Sequence, residues 1–148
     1  MGNNVNVSAA AGGNSPKGRT KVLVVDDNAI LLRTVKEMLS THFEISIAAS
    51  ASQAFMSLSK VPADIILLDY EMPYTNGVQM LKRLRSDPAT SHIPVIFFTS
   101  SAEREVVSKL VEENPDGYLL KPPSKEKMIA AIRKTLEKQN EPTVVVER

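Results

Sequence analysis

The stretch Val22-Leu23-Val24-Val25-Asp26-Asp27-Asn28 decides how the chain is read. Four consecutive apolar residues, mostly β-branched, suit a strand buried on both faces better than one with a wet side. Two runs of the same kind follow, Ile65-Ile66-Leu67-Leu68 and Val95-Ile96-Phe97-Phe98, with Glu44–Ala48 and Gly117–Leu120 as shorter candidates. Between them, apolar residues recur at helical spacing. The stripes are Leu31, Val35, Met38 and Leu39; Ala54, Phe55 and Leu58; Val78, Leu81 and Leu84; Val106, Val107, Leu110 and Val111; and Ile129, Ile132 and Leu136. A strand followed by a helix, five times over, predicts an α/β fold. Its parallel sheet has helices on both faces and right-handed crossovers.

Working outward, residues 1–19 are rich in Asn, Gly, Ser and Ala and read as a flexible tail. Residues 20–138 hold the alternating pattern, and 139–148 form a short C-terminal tail containing Val144-Val145-Val146. A length of 148 residues suits one domain, and 43% hydrophobic with 24% charged residues excludes a disordered chain. A net charge of +1 argues against a dedicated nucleic-acid binder. The absence of cysteine excludes disulfides, thiolate zinc sites and a cysteine nucleophile, and fits a cytoplasmic protein. No apolar run is long enough to insert in a membrane. The N-terminus lacks the pattern of a signal peptide, and Asn6 stands where a myristoylation signal wants Ser or Thr.

In open α/β sheets, ligands bind beyond the carboxyl ends of the strands. Here polar residues collect at those ends: Asp26 and Asp27 after the first predicted strand, Asp69 after the third, Thr99 and Ser100 after the fourth, Lys121 after the fifth. Adjacent carboxylates repel, and a hard divalent ion removes that cost, Mg²⁺ being suited to one or two carboxylates with water and phosphate oxygens. The plainer reading is that Asp27 or Asn28 caps the following helix, and the two readings are compatible. Asp69 closes the most apolar strand, either as a turn residue ahead of Asn76-Gly77 or as a carboxylate nucleophile toward phosphorus. Thr99 is an ordinary strand end or a hydroxyl for a phosphoryl oxygen. Lys121 is a surface charge or, stiffened by Pro122-Pro123, a cation aimed at a phosphoryl group.

These pieces, VLVVDDN, IILLDYEMPYTNG, VIFFTS and GYLLKP, together resemble the receiver domains of bacterial two-component response regulators. The likeness runs from Lys21 to Lys138. It implies a flavodoxin-like (βα)₅ fold with a doubly wound five-stranded sheet in the order 2-1-3-4-5. It also implies a stand-alone, chemotaxis-regulator-like switch of a phosphorelay rather than an enzyme with a separate substrate. The implied phosphoacceptor is Asp69, with Mg²⁺ held by Asp69, Asp27 and the Glu71 carbonyl, and by Asp26 through water. Thr99, Ser100 and Lys121 are the implied phosphoryl-binding residues. Thr99 and Tyr118 are the implied switch pair, acting on a surface of the fourth helix, fifth strand and fifth helix that includes Ala102, Val106 and Lys125. The implied partners are a histidine kinase or histidine phosphotransfer protein and a downstream protein target. The chain is then a monomer or a weak phosphorylation-linked dimer.

Pro123, where the family usually has an apolar residue, and Glu113-Asn114-Pro115-Asp116-Gly117, in place of a Gly-Ala turn, depart from the pattern. Neither belongs to the acidic set. Among rivals, an aspartate-nucleophile phosphatase of the haloacid dehalogenase type places Asp-x-Asp after its first strand, whereas here the acids are adjacent. A flavodoxin-like cofactor binder needs a Ser/Thr/Gly-rich phosphate loop, which Asp26-Asp27 would repel. A receiver-fold interaction module independent of phosphorylation commonly loses part of the acid set, and this chain keeps it.

Overall fold

The computed structural model describes residues 18–72, 76–100, 108, 112, 114–121 and 124–140. Five parallel strands, β1 (Lys21–Val25), β2 (Glu44–Ala48), β3 (Ile65–Asp69), β4 (Val95–Thr99) and β5 (Gly117–Leu120), form one sheet in the order β2-β1-β3-β4-β5. Helices α1 (Ala29–Leu39), α2 (Ala51–Lys60) and α3 (Gly77–Ser86) follow β1, β2 and β3, and a C-terminal helix spans Lys125–Asn140. The predicted strands and strand order are therefore present. Between β4 and β5, Ser108 and Glu112 are helical. The stripe Val106, Val107, Leu110 and Val111 lies outside the described residues, as do residues 1–17 and 141–148 of the expected tails.

The continuous apolar runs follow from burial on two faces. Leu23, Val25, Ile66, Leu68, Val95 and Phe97 point to one side, where α2 and α3 bring Ala51, Ala54, Met80, Leu81 and Leu84. Val22, Val24, Ile65, Leu67, Ile96 and Phe98 point to the other, against Leu32, Val35 and Leu39 of α1 and Met128 and Ile132 of the C-terminal helix. Each fully buried Val, Leu, Ile or Phe contributes about 1.5–3 kcal/mol, so alternation of these layers along three central strands carries the fold. Two details differ from the spacing-based expectation. Leu32, not Leu31, is the buried residue in the first turn of α1, and Met80 and Met128 are fully buried though neither was among the expected stripes. β5, at the sheet edge, alternates instead of being buried throughout, and Tyr118 and Leu120 are more than two-fifths exposed.

Helix starts are fixed by side chains. Asn28 accepts from Leu31 N–H at 3.0 Å, Ser50 from Gln53 N–H at 3.1 Å, and Asn76 from Gln79 N–H at 2.9 Å. Gln79 returns the favour by accepting from Asn76 N–H at 3.1 Å, a reciprocal capping box. The β ladder also continues past the strand ends: Asp26 N–H donates to Ala48 O, Tyr70 N–H to Phe98 O and Lys121 N–H to Thr99 O, at 3.1, 2.8 and 2.8 Å. The backbone at the carboxyl edge is thus as fixed as the sheet. Among the described residues, no helix is long and apolar enough to cross a membrane.

Candidate metal and phosphoryl site

At the carboxyl edge, Asp26, Asp27 and Asp69 come together, with a carboxylate oxygen from each within 4.8 Å of the others. Neighbouring strands β1 and β3 run in register, Val25 beside Leu68, so Asp26, just past β1, meets Asp69, the last residue of β3. Asn28 takes the helix-capping role, which leaves both preceding aspartates for the cluster. Asp26 and Asp69 are buried, while Asp27 is exposed at the mouth. Asp26 Oδ1 accepts from Asn28 N–H at 2.9 Å, and Asp69 Oδ1 accepts from Glu71 N–H at 3.1 Å.

Lys121 reaches in from the end of β5. Its Nζ donates to Asp69 Oδ1 at 3.1 Å and stands 2.7 Å from Asp26 Oδ2, an ion pair that lacks hydrogen-bond alignment. The same ammonium lies 5.8 Å from the centre of the Phe98 ring. One cation therefore faces two buried anions. Burial, reinforced by the charge of Asp26, pushes the Asp69 carboxyl up to about 6 from 3.8, even though Lys121 and the Glu71 amide pull it down. For Lys121, burial disfavours the ammonium, but contact with Asp26 and Asp69 outweighs it and leaves the pKa above its ordinary value.

The donor set fits a hard divalent cation. All the ligating atoms on offer are oxygen, two carboxylates are buried beside each other, and buried Asp26 Oδ2 has only the poorly aligned Lys121 ammonium, 2.7 Å away, as a partner. One ammonium shared between two buried carboxylates leaves excess negative charge, which a metal ion or its water would offset.

Of the other residues singled out, Thr99 is buried at the end of β4, one strand over from Asp69. Ser100 is exposed, and its hydroxyl donates at 3.4 Å to Glu71 Oε1, so the Glu71 side chain spans the mouth toward β4. Tyr118 lies beside Phe97 in the β4–β5 register with its ring turned outward. Lys125 is half-buried at the start of the C-terminal helix. Ala102, Val106, Pro122 and Pro123 lie outside the described residues. Gly77 was read only as part of a turn. In the structure it begins α3 and its N–H donates to Tyr70 O at 3.0 Å, immediately behind Asp69. Its sequence signal was the Asn-Gly pair ahead of a helical stripe, which marks a helix start as well as it marks a turn.

Residues 22–133 match the response regulator receiver domain family. Chemotaxis protein CheY-3 of Vibrio cholerae is 32% identical over 104 residues, covering 69% of this chain and 80% of that protein. Two longer relatives are 31% and 35% identical: hybrid signal transduction histidine kinase D of Dictyostelium discoideum and a protein-glutamate methylesterase/protein-glutamine glutaminase of Trichodesmium erythraeum. These matches take in 75% and 78% of this chain but span only 7% and 35% of those proteins. The solved structure of Vibrio cholerae CheY4 superposes with a TM-score of 0.74 at 24% identity, over 80% of this chain and 99% of that one, and so shares the fold. The chain belongs to the response regulator receiver domains of two-component signalling.

Proposed function

We propose that this chain is a phosphorylation-operated switch in a phosphorelay, taking a phosphoryl group on Asp69 from the phosphohistidine of a histidine kinase or histidine phosphotransfer protein. One observation carries the reading: the buried Asp69 carboxylate, 3.1 Å from Lys121 Nζ, lies inside a cluster of three carboxylates. An Asp69 oxygen attacks phosphorus, the new O–P bond forms as the P–N bond breaks, and the imidazole nitrogen keeps the electron pair. Asp27, Asp69 and the Glu71 carbonyl would hold Mg²⁺, with Asp26 acting through water. When bound, Mg²⁺ supplies positive charge at the phosphoryl oxygens. Lys121 supplies the fixed positive charge of the protein itself. The Thr99 hydroxyl and the Ser100 N–H then hydrogen-bond to the phosphoryl group, and Tyr118 follows Thr99 inward. This biases the expected surface of the fourth helix, fifth strand and fifth helix, with Ala102, Val106 and Lys125 in it, toward a downstream protein. The domain acting in this way comprises residues 20–138, works in the cytoplasm, and hydrolyses its own aspartyl phosphate rather than a separate substrate.

The test is intact mass after incubation with a phosphohistidine donor. Wild type with Mg²⁺ should gain one phosphoryl group, and both Asp69→Ala and wild type in chelator should gain none. A wild type without gain would identify a phosphorylation-independent interaction module, and a gain persisting in Asp69→Ala would put the acceptor elsewhere.

A further inference from the structure

Gly77, the first residue of α3, packs against the Asp69–Tyr70 peptide. A β-carbon built on it would stand 2.5 Å from the main-chain oxygen of Asp69, 2.9 Å from Tyr70 Cα and 2.9 Å from the Phe97 ring. Two of these three obstacles are backbone, which has no rotamer into which to retreat. Because β-carbons do not approach closer than 3.0 Å, a side chain here forces α3 and the Asp69–Tyr70 peptide apart by at least about 0.5 Å. Neither partner yields freely. The peptide is tied into the sheet by Tyr70 N–H donating to Phe98 O at 2.8 Å, and α3 is held by its capping box and by buried Met80, Leu81 and Leu84. Gly117 offers a contrast, since a β-carbon there meets only Ile96 Cγ1 at an ordinary 3.7 Å.

We propose that Gly77 is a positioning residue for the acidic cluster. Its missing side chain lets the start of α3 seat directly on the Asp69–Tyr70 peptide, which fixes where the Asp69 carboxylate and the Glu71 backbone point relative to Asp26 and Asp27. The inference rests on reading that cluster as a metal-assisted phosphoacceptor site. Reacting groups must be held within about 0.5 Å of the productive geometry, and misplacement by about 1 Å costs about 100-fold in rate. The forced separation falls inside that range.

The test measures three quantities: the Mg²⁺ dissociation constant by calorimetry, the phosphorylation rate from a phosphohistidine donor at saturating Mg²⁺, and the melting temperature. Gly77→Ala should raise the dissociation constant about tenfold and slow phosphorylation about 10- to 100-fold while remaining folded. Leu84→Ala, which loosens α3 from its far end, should lower the melting temperature but leave both site readouts within about twofold, as should Gly117→Ala. If Gly77→Ala does not fold, Asn76→Ala removes the cap without adding bulk and should weaken Mg²⁺ binding about threefold. Site readouts within about twofold of wild type in Gly77→Ala, or in Asn76→Ala where that replaces it, would overturn the positioning role. A wild type that binds Mg²⁺ but takes no phosphoryl group would instead overturn the functional reading, and the metal measurement would still decide the role of Gly77.

Discussion

Aspartates stand at both ends of the sheet, and the two ends use them in opposite ways. At the amino end, Asp64 precedes β3 and Asp116 precedes β5. Asp64 Oδ2 accepts from the first amide of β1, Lys21 N–H, at 2.8 Å, while its own N–H donates to Lys21 O at 2.8 Å. Asp116 repeats the device on β4: Oδ2 accepts from Val95 N–H at 2.8 Å and its N–H donates to Val95 O at 2.8 Å. Arg85 then adds an ion pair at 3.1 Å to Asp116 and a hydrogen bond at 2.7 Å to Ile93 O. Each of these carboxylates completes a ladder that would otherwise end on a bare amide. At the carboxyl end, Asp26 and Asp69 crowd one another around one ammonium, whose 2.7 Å contact with Asp26 Oδ2 lacks hydrogen-bond alignment. One residue type secures the fold at one end and strains it at the other, and the strained end is the one to which the proposed chemistry belongs.

The sharpest way to break this contrast is to remove the shared cation. Without metal, Lys121→Met should lose about 3–5 kcal/mol at neutral pH, because two buried carboxylates are left uncompensated. Mg²⁺ should restore much of the loss. Denaturant unfolding with and without Mg²⁺ measures both, and a loss under about 1 kcal/mol in chelator would mean that the carboxyl end stores no strain.

A second effect should follow from Asp69 itself. Its carboxyl titrates near 6 when folded and near 3.8 when unfolded, so between those values the folded chain holds a proton that the unfolded chain has released. Stability of the metal-free protein should therefore fall as pH rises from about 4 to about 6, by about 3 kcal/mol, and stay down above that. Asp69→Asn should flatten this slope and be the more stable protein at pH 7. Urea midpoints across that range check the sign, and an Asp69→Asn slope equal to wild type would assign the strain to another group.

At the opposite end, Asp116→Ala should cost about 1–2 kcal/mol, the loss of a partner for Val95 N–H, and should leave Mg²⁺ affinity unchanged. A change in metal binding there would show that the two ends are coupled.

The smallest effect expected is at Glu71. Its exposed carboxylate spans the mouth to Ser100, where it repels an anionic small-molecule donor by about 0.5 kcal/mol at about 7 Å in water. Glu71→Gln should speed phosphorylation by acetyl phosphate roughly twofold, with the gain fading at high salt. An unchanged rate at low salt removes the steering role.

The three central strands were legible because burial on both faces writes continuous apolar runs, and the acids at their ends stood out because nothing in packing calls for Asp after Ile-Ile-Leu-Leu. Helix faces were less legible. Spacing selected Leu31, yet the start of α1 is set by the Asn28 cap, which turns Leu32 inward. Met80 and Met128 fall outside the expected stripes although both are fully buried, an unbranched side chain filling core gaps as well as a branched one. The ladder-completing roles of Asp64 and Asp116 left no mark in the sequence, since each depends on a strand more than 20 residues away in chain order. Gly77 was hidden for a related reason: what makes a side chain impossible there is the Asp69 carbonyl, brought behind it only by the fold.

Tyr70, adjacent in sequence to Asp69, packs its ring edge-on against Phe97 with centroids 5.6 Å apart. The chain contains three tyrosines and no tryptophan, so nothing brighter masks their emission. Tyr70 shares a peptide bond with Asp69, and Tyr118 lies beside Phe97 in the sheet register. The protein thus carries an optical probe wired into the backbone of its own acidic cluster, and ion titrations can be followed by ultraviolet fluorescence on unlabelled, unaltered material.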